Sequence, residues 1–365
     1  MVSLFVMPAK AAPGYVGARP SPEKPGAGRK APDRTLDFRL RGVTIPSEVW
    51  LRHVMSLKSP AFARDPDRFA PLFVLAPARS YTSVISTMLG RHPDLAGLPE
   101  LKLFAYPTIG EMEASLPGFW IERGVTHRSP GLIRALAEYL FGDQQLQSLA
   151  LARAWLHERS SWSGADVLDI LLEHLQPRRC VEKSPENVET DTALARLAAG
   201  YPRARYLHLT RHPVTTQRSI QQHFNRILAG YRQDGQPMSG VAAWFEAHRR
   251  ILRFAADLSP DRYMRVRAED VLSDMRHQLA AIAAWLGLRT DADAIAAMKH
   301  PEASPFAGFG PAGSGVSGGN DPAFLRDPIP RRVPVPGSVE EPTGWTEGPS
   351  SWQMVVDLAN RLGYR

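Results

Sequence analysis

The chain has 365 residues, of which 44% are hydrophobic and 22% are charged, so it is long enough to bury a substantial core and has an ordinary globular composition. Its 44 Lys and Arg residues exceed its 37 Asp and Glu residues by 7, and this positive balance favours anionic ligands such as nucleotides. The basic residues are scattered, which argues against a nucleic-acid-binding tract. The single cysteine, Cys180, excludes an intramolecular disulfide and a cysteine-based zinc site.

The first part of the chain has a different composition from the rest. Residues 8–37 consist mainly of Pro, Ala, Gly, Lys and Arg without apolar periodicity, and such a segment buries too little apolar surface to offset its ordering entropy. We expect residues 1–42 to form a disordered Pro/Gly/Ala-rich arm or linker and residues 43–365 to form a single domain. The sequence has no apolar stretch of the roughly 18 residues that a spanning helix needs and no signal-sequence pattern, so we expect a cytoplasmic protein.

Apolar runs alternate with helical patterns along the remainder of the chain. The runs predict buried strands at 71–77, 178–185, 204–213 and 263–271. Apolar residues three and four positions apart predict helices at 45–57, 80–91, several between 111 and 175, 187–202, 214–232, 239–257, 275–288 and 350–365. Strands separated by helices indicate an α/β protein with a parallel sheet covered on both faces. In such sheets ligands bind beyond the carboxyl ends of the strands, so the polar residues after Pro77, Val181 and Leu209 should converge on one site.

The turn after the first predicted strand has the chemistry of an anion site. A strand, a tight turn and a helix N-terminus present unpaired backbone N–H groups and the positive end of the helix dipole. Hydroxyl donors at Ser80, Thr82 and Ser83 and the forked guanidinium of Arg79 add to them, which indicates a phosphate cradle. The alternative is that Ser80 only caps the helix, a common role that needs no ligand.

A P-loop nucleotidase is disfavoured by what this turn lacks. That motif, G-x-x-x-x-G-K-[ST], requires glycine and lysine, and such enzymes need a carboxylate at the end of a neighbouring strand to hold magnesium. Here "YLHLTRHP" supplies Arg211 at that point. An arginine in this place favours direct binding of an anion, and we therefore expect no metal site.

Three segments, in order, resemble the sulfotransferases that use 3′-phosphoadenosine-5′-phosphosulfate (PAPS). "LAPARSYTSVISTMLGRHPDLAGLPE" is similar to their 5′-phosphosulfate loop, a strand followed by P-[RK]-S-G-T-T, a helix and H-P. "YLHLTRHPVTTQRSI" is similar to their 3′-phosphate motif, and "YMRVRAEDVLSDMRHQLAAIAAWLGL" is similar to a later segment that closes in L-G-L. The resemblance spans roughly residues 70–325 and implies a three-layer, P-loop-like parallel sheet flanked by helices. Two departures are Tyr81, where the family has glycine, and the displacement of the loop proline to Pro77.

The resemblance implies how the nucleotide is held. Arg79, Ser80, Tyr81, Thr82 and Ser83 would bind the 5′-phosphosulfate, and two further residues, Arg211 and Ser219, would bind the 3′-phosphate of PAPS and of its product PAP. No metal is required in such a site. The Gly/Pro-rich segment around 300–335 reads from composition alone as a flexible surface loop. The resemblance implies instead that it covers the cofactor, with contacts from Ser304, Gly310 and Gly313.

The resemblance also implies catalytic roles for Glu100, Arg79 and Lys183. Glu100 lies where tyrosylprotein and some carbohydrate sulfotransferases carry a catalytic glutamate; the alternative is that it caps a turn or pairs with Lys102. Lys183 matches a lysine that reaches the bridging oxygen in related enzymes. Cytosolic small-molecule sulfotransferases use a histidine base instead, for which the candidates are His127, His223 and His248.

The sequence contains few signals for the acceptor, the molecule that would receive the sulfuryl group. We expect a hydroxyl or amine on a small metabolite, an acyl chain or a carbohydrate, with no nucleic-acid partner, and the N-terminal linker would suit attachment to a larger biosynthetic assembly. Helices between 111 and 175 would shape its pocket with four aromatic residues, Phe119, Trp120, Trp155 and Trp162, although such residues are more often core. The alternative function is a catalytically inactive PAP- or anion-binding protein, which Tyr81 in place of glycine makes credible.

Overall fold

The computed structural model describes residues 39–40, 43–44, 64–228, 240–334, 337–340 and 349–365. Two short strands, β1 (Arg39–Leu40) and β2 (Val43–Thr44), form an antiparallel pair. The predicted helix at 45–57 and, apart from strand β1, the predicted arm at 1–42 lie outside the described residues.

A parallel sheet of five strands forms the centre of the protein. Its strands are β3 (Leu72–Leu75), β4 (Leu95–Gly97), β5 (Arg179–Glu182), β6 (Arg205–Thr210) and β7 (Tyr263–Arg267). Their order in the sheet is β4-β5-β3-β6-β7, so β3, which comes first in the sequence, lies in the middle of the sheet. Leu72 of β3 aligns with Val181 of β5 and with Arg205 of β6, and this register brings the carboxyl ends of the three strands together.

Helices cover both faces of the sheet. They are α1 (Thr82–Gly90), α2 (Ile109–Ala114), α3 (Gly118–Glu122), α4 (Pro130–Phe141), α5 (Leu146–His157), α6 (Gly164–Leu175), α7 (Asp191–Gly200), α8 (Pro213–Leu228), α9 (Gly240–Phe254), α10 (Ala268–Ser273), α11 (Met275–Trp285), α12 (Ala292–Ala297), α13 (Pro322–Arg326) and α14 (Pro349–Arg361). Short 3₁₀ turns lie at Pro185–Val188, Ala255–Asp257 and Pro301–Ala303.

The alternation of side chains along the strands divides the core into two layers. Phe73 and Leu75 of β3 pack on one face of the sheet against helices α4 to α7, whereas Leu72 and Val74 pack on the other face against α1 and α10 to α12. All four side chains are buried because helices cover both faces. The predicted α/β class and three-layer arrangement are therefore confirmed.

Two elements differ from those predicted. The strand expected at 263–271 ends at Arg267, and helix α10 begins at the next residue. Strand β4 was not predicted, because three residues with two small side chains give no recognisable apolar run.

The Gly/Pro-rich segment after residue 300 is packed, in contrast to the flexible loop that its composition indicates. Phe306 and Val316 are buried in the same core as α4. Arg134 of α4, which is 2% exposed, donates to the carbonyl oxygens of Gly318 at 2.9 Å and Pro305 at 3.4 Å. These contacts fix the segment to α4.

Candidate active site

The turn between β3 and α1 has an unusual backbone conformation. Arg79 and Tyr81 have positive φ angles of 66° and 57°, a left-handed conformation that costs a residue with a side chain roughly 1–2 kcal/mol. Tyr81, at the position where the resemblance predicts glycine, therefore adopts a conformation that glycine reaches without strain. It also occupies the N-cap position of α1, where no side chain caps the helix. The alternative that Ser80 is the N-cap is wrong.

Ser80 carries a polar group that the protein does not satisfy. Its side chain is fully buried, and its Oγ has no hydrogen-bond partner among the described residues. A buried hydroxyl without a partner costs free energy unless something else completes its hydrogen bonds. The Ser80 hydroxyl and the N–H groups at the uncapped N-terminus of α1 can all donate hydrogen bonds to an anion.

Arg79 is held between two other elements. Its Nε donates to Ser219 Oγ on α8 at 3.1 Å, and its Nη1 lies 2.6 Å from a carboxylate oxygen of Asp321. Arg79 was predicted to bind the 5′-phosphosulfate and Ser219 the 3′-phosphate, and the two residues are in direct contact. The ion pair with Asp321 was not predicted, because Asp321 lies in a segment without periodic pattern.

Arg211 lies across the same turn, directly after β6. Its Nη1 donates to the carbonyl oxygen of Arg79 at 2.6 Å, its Nε donates to Thr215 Oγ1 at 3.2 Å, and its guanidinium carbon lies 4.0 Å from the centre of the Tyr81 ring. Burial is the largest influence on Arg211 and lowers its pKa from the ordinary value. Among the residues that the structure describes, no carboxylate forms an ion pair with Arg211, and a buried cation in this situation is suited to bind an anion.

Glu100 and Lys183 form the second group in the site. The Nζ atom of Lys183, which is fully buried, lies 2.5 Å from Glu100 Oε1 and 3.2 Å from Ser83 Oγ. Glu100 follows β4 and Lys183 follows β5, so the sheet order places them side by side. The structure excludes the alternative in which Glu100 pairs with Lys102, because Lys102 pairs with Glu186 at 2.8 Å.

A buried carboxylate holds these two loops together. Glu182, the last residue of β5, accepts from Ser184 Oγ at 2.5 Å and from Asn187 at 2.8 Å, and burial raises its pKa to about 7. Ser184 Oγ in turn accepts from the backbone N–H groups of Leu101 and Lys102. Glu182 therefore supports the loop that presents Glu100. This structural role was not predicted from the sequence.

Three consecutive residues of the Gly/Pro-rich segment contact Glu100, Lys183 and Ser83, one each. The carbonyl of Gly319 accepts from the Glu100 N–H at 2.8 Å, Asn320 Oδ1 lies 3.4 Å from Lys183 Nζ, and the Asp321 N–H donates to Ser83 Oγ at 3.1 Å. A side chain at Gly319, whose φ is 120°, would collide with Gly131 of α4. Glycine at this position is what allows the segment to approach the site.

These residues surround a cavity of about 630 Å³, a size typical of small-molecule sites. The predicted residues that line it are Arg79, Tyr81, Thr82, Ser83, Glu100, Arg211 and Ser219. Ser80 and Lys183 lie next to it as described. Asn320, Asp321, Arg331 and Arg332 also line the cavity and were not predicted. The adjacent arginines in "IPRRVP" were the only signal in that part of the sequence.

The other predicted residues of the covering segment lie elsewhere. Ser304, Gly310 and Gly313 do not line the cavity. The Gly310 N–H donates to Ser317 inside the segment, and Gly313 adopts a left-handed turn in open surroundings. Because Arg134 ties this stretch to α4, it is the following residues, from Asn320 onward, that reach the cavity. The placement of these three residues gives no support to a role in binding the cofactor.

Of the three candidate histidine bases, only His223 lines the cavity. His127 contacts Glu113 at 3.0 Å away from the cavity, and burial lowers its pKa to about 3. His248 is fully buried and hydrogen-bonded to His208 at 2.8 Å. Glu100 and His223 are thus the candidates that the structure brings to the site.

The aromatic residues expected to shape the acceptor pocket belong elsewhere. Trp155 is fully buried in the core and packs edge-on against Trp162 at 5.7 Å. Neither residue lines the cavity, and Trp120 does not line it either. The side chain of Phe119 lies outside the described part of the chain.

Within the part of the chain that the structure describes, no three His, Cys, Asp or Glu side chains are grouped as metal ligands. None of the helices between residues 64 and 365 that the structure describes has the length and apolarity needed to cross a bilayer.

Comparison with known proteins identifies the family. The profile described as "Sulfotransferase family" matches residues 71–292, more than half of the chain. The sulfotransferase domain from the curacin biosynthetic pathway is 22% identical with a TM-score of 0.65, over 82% of this chain and 99% of that domain. The sulfotransferase domain of the Synechococcus PCC 7002 olefin synthase is 24% identical with a TM-score of 0.56, over 83% and 99%. No curated protein matches. The chain therefore belongs to the sulfotransferase family, and the enzyme class predicted from its motifs is confirmed.

Proposed function

We propose that this protein transfers the sulfuryl group of PAPS to a hydroxyl or amine group of a small metabolite or acyl chain. The observation that carries the proposal is the meeting of two anion sites at one cavity, one at the turn after β3 and one at Arg211. The Arg211 guanidinium donates to the backbone carbonyl oxygen of Arg79, and this hydrogen bond joins the two sites. ATP and adenosine 5′-phosphate have no 3′-phosphate to occupy the second site.

The residues present fit the nucleotide. The buried Ser80 Oγ lacks a partner among the described residues, the N-terminus of α1 has no side-chain cap, and four arginines, among them Arg79 and Arg211, line the cavity. Arg79, Ser80, Thr82 and Ser83 would hold the 5′-phosphosulfate, while Arg211 and Ser219 would hold the 3′-phosphate. PAPS supplies the activated sulfuryl group when it is bound.

The roles of the catalytic residues follow from their positions. Glu100, whose side chain is 20% exposed at the cavity, would accept the proton of the acceptor group. Lys183 donates to Glu100 and to Ser83, so it can orient the carboxylate and place positive charge beside the phosphosulfate loop. Arg79 would stabilise negative charge that develops on the leaving phosphate. Such a transfer depends on in-line positioning and electrostatics more than on covalent catalysis.

An acceptor from a biosynthetic assembly is the first class to test. The two similar domains come from a biosynthetic pathway and from an olefin synthase, and the sequence after the loop, "GLPELKLF", resembles sulfotransferases that act on acyl chains. A carbohydrate acceptor remains the competing proposal. Both classes present a hydroxyl group, so the chemistry proposed for Glu100 is the same for either.

The test is to incubate the protein with PAPS and separate panels of hydroxyacyl, carbohydrate and amine acceptors, and to measure the PAP released and the mass of each product. We expect a sulfated product with a hydroxyacyl compound and its formation to be about 100-fold slower or more with Glu100→Gln. Sulfation of carbohydrates alone would overturn the acceptor class. PAP binding without turnover on any panel would favour the inactive-binder alternative.

A further inference from the structure

The side chain of Tyr364, which follows helix α14, reaches the end of strand β6. It is 1% exposed, and its hydroxyl donates to Glu269 Oε2 at 2.9 Å. The same hydroxyl lies 3.0 Å from Thr210 Oγ1. The Tyr364 proton is used by the carboxylate, so Thr210 donates in the 3.0 Å contact with the Tyr364 oxygen, and the Val266 carbonyl at 3.4 Å is the longer alternative acceptor for the same Thr210 proton. The result is a buried relay from Thr210 through Tyr364 to Glu269.

This relay contacts the residues on both sides of Arg211. Thr210 precedes Arg211, and the backbone N–H of His212, which follows it, donates to Glu269 Oε1 at 2.9 Å. The ring of Tyr364 also packs edge-on against His212, with centres 5.6 Å apart. On the opposite side, Trp244 Nε1 donates to the Arg211 carbonyl at 2.8 Å. Three buried side chains that do not line the cavity, those of Glu269, Tyr364 and Trp244, therefore fix the backbone at Arg211 and His212.

The charge of Glu269 makes the tyrosine hydroxyl important. Glu269 is 1% exposed, and its two oxygens are satisfied by the His212 N–H and the Tyr364 O–H. Removal of one donor would leave a buried carboxylate oxygen without its partner, which favours rearrangement of the carboxylate and of the backbone it holds. The ring position is also secured from outside, because Arg267 donates to the carbonyl of Gly363 at 2.6 Å.

We propose that Tyr364 is a positioning residue for the 3′-phosphate site, acting on Arg211 through Thr210, Glu269 and the backbone of His212. The side chain of Tyr364 does not line the cavity. The inference rests on the proposed function, since it assigns Tyr364 to the site where Arg211 would recognise the phosphate that distinguishes PAP from adenosine 5′-phosphate.

The experiment is calorimetric titration of PAP and adenosine 5′-phosphate into the wild-type protein, Tyr364→Phe, Arg211→Ala and the double variant. We expect Tyr364→Phe to weaken PAP binding about fivefold to tenfold, because it disturbs hydrogen bonds to a charged group, and to change the affinity for adenosine 5′-phosphate by less than about twofold. In the Arg211→Ala background the same substitution should have no further effect on PAP, since the two residues act on one interaction.

Tyr201→Phe is the matched control. Tyr201 is also fully buried and donates to a carboxylate, Asp169, at 2.7 Å, but Asp169 and Tyr201 do not line the cavity. It should lower the melting temperature without altering preference for PAP. If Tyr364→Phe does not fold, Thr210→Val cuts the other link of the relay with a residue that suits a strand and provides the same comparison.

The outcomes separate the inference from the proposed function. If the wild-type protein binds both nucleotides equally, the proposed function fails. If the wild-type protein prefers PAP but Tyr364→Phe retains that preference, weakens both nucleotides equally, or still weakens PAP in the Arg211→Ala background, the positioning role is overturned. A loss confined to PAP that disappears without Arg211 supports it.

Discussion

The guanidinium carbon of Arg211 lies 4.0 Å above the centre of the Tyr81 ring. This contact gives a reason for a tyrosine with a φ of 57° at a position where the sequence resemblance predicts glycine. The ring compensates part of the backbone cost by holding the cation in place, since such a contact contributes roughly 0.5–2 kcal/mol.

We therefore expect Tyr81→Gly to fold, because glycine adopts a positive φ without strain, but to bind PAP about threefold to tenfold more weakly. Tyr81→Phe keeps the ring and should bind PAP as the wild-type protein does. Calorimetric titration of both variants decides the matter. A glycine variant with undiminished affinity would show that the ring contributes nothing to the site.

Replacement of the proposed base should affect turnover more than binding. Glu100→Gln removes a proton acceptor but keeps the shape of the side chain beside Lys183, so we expect PAP release to slow by about 100-fold or more while the PAP dissociation constant changes little. Glu113→Gln is the control, because Glu113 pairs with His127 and does not line the cavity. Normal turnover by Glu100→Gln would shift the role to His223, to be tested with His223→Asn.

Asp321 should oppose nucleotide binding. Its carboxylate lies 2.6 Å from Arg79 Nη1, and the positive charge of Arg79 contributes to lowering the pKa of Asp321 against the effect of burial. A bound phosphosulfate would compete with that negative charge for the same guanidinium. We expect Asp321→Asn, which can still cap α13, to bind PAP several-fold more tightly, with a larger gain at low salt.

The matched control for this prediction is Asp327→Asn. Asp327 also lines the cavity but pairs with the exposed Arg331, so its removal should change affinity less. Weaker PAP binding by Asp321→Asn would mean that the carboxylate orients Arg79 and does not compete with the ligand.

A buried histidine pair should contribute a loss of stability in mild acid. His208 and His248 are fully buried, and burial, the largest influence on each, lowers the pKa of His248 to about 3 and that of His208 well below its ordinary value. In the unfolded chain both rings take up protons near about pH 6.5, whereas in the folded protein they remain neutral. The unfolded state thus binds more protons, and the free energy of unfolding decreases as the pH falls below that value.

In urea denaturation from about pH 7 down to about pH 5, each histidine should contribute up to about 1.4 kcal/mol per pH unit to this decrease, while buried Glu182, whose pKa burial raises to about 7, acts in the opposite sense. His248→Gln removes the share of one histidine, so its free energy of unfolding should rise relative to that of the wild-type protein as the pH falls. The control His277→Gln, at an exposed histidine whose side chain is 78% exposed, should leave the pH profile unchanged. An identical slope in wild type and His248→Gln would contradict the assignment.

The sequence was informative where a pattern repeats or a strand end carries a charge. Apolar runs located β3 and β6, and their ends supplied Arg79 and Arg211 because strands of a parallel sheet finish at one edge. The same reasoning directed Lys183 toward the site, but its contact with Glu100 was not predicted, because strand β4, which precedes Glu100, was too short to recognise.

The remaining parts of the site depend on contacts that no local pattern encodes. Asp321 and Asn320 reach the cavity because Arg134 fixes the preceding stretch to α4 and because Gly319 allows close approach to Gly131. In the sequence they stand in a Gly/Ser-rich run whose composition does not distinguish them from Ser304, Gly310 and Gly313, the residues predicted to contact the cofactor. Tyr364 contacts Thr210 across 154 positions of the chain, a separation at which periodicity carries no information.

The most direct test of the account is calorimetric titration of the wild-type protein and Arg211→Ala with PAP and with adenosine 5′-phosphate. We predict that the wild-type protein binds PAP at least about tenfold more tightly, because two charge-assisted hydrogen bonds to the 3′-phosphate are gained, and that Arg211→Ala abolishes the preference. Equal binding of both nucleotides by the wild-type protein, or a preference that survives Arg211→Ala, would contradict the claim that this cavity recognises the nucleotide of sulfuryl transfer.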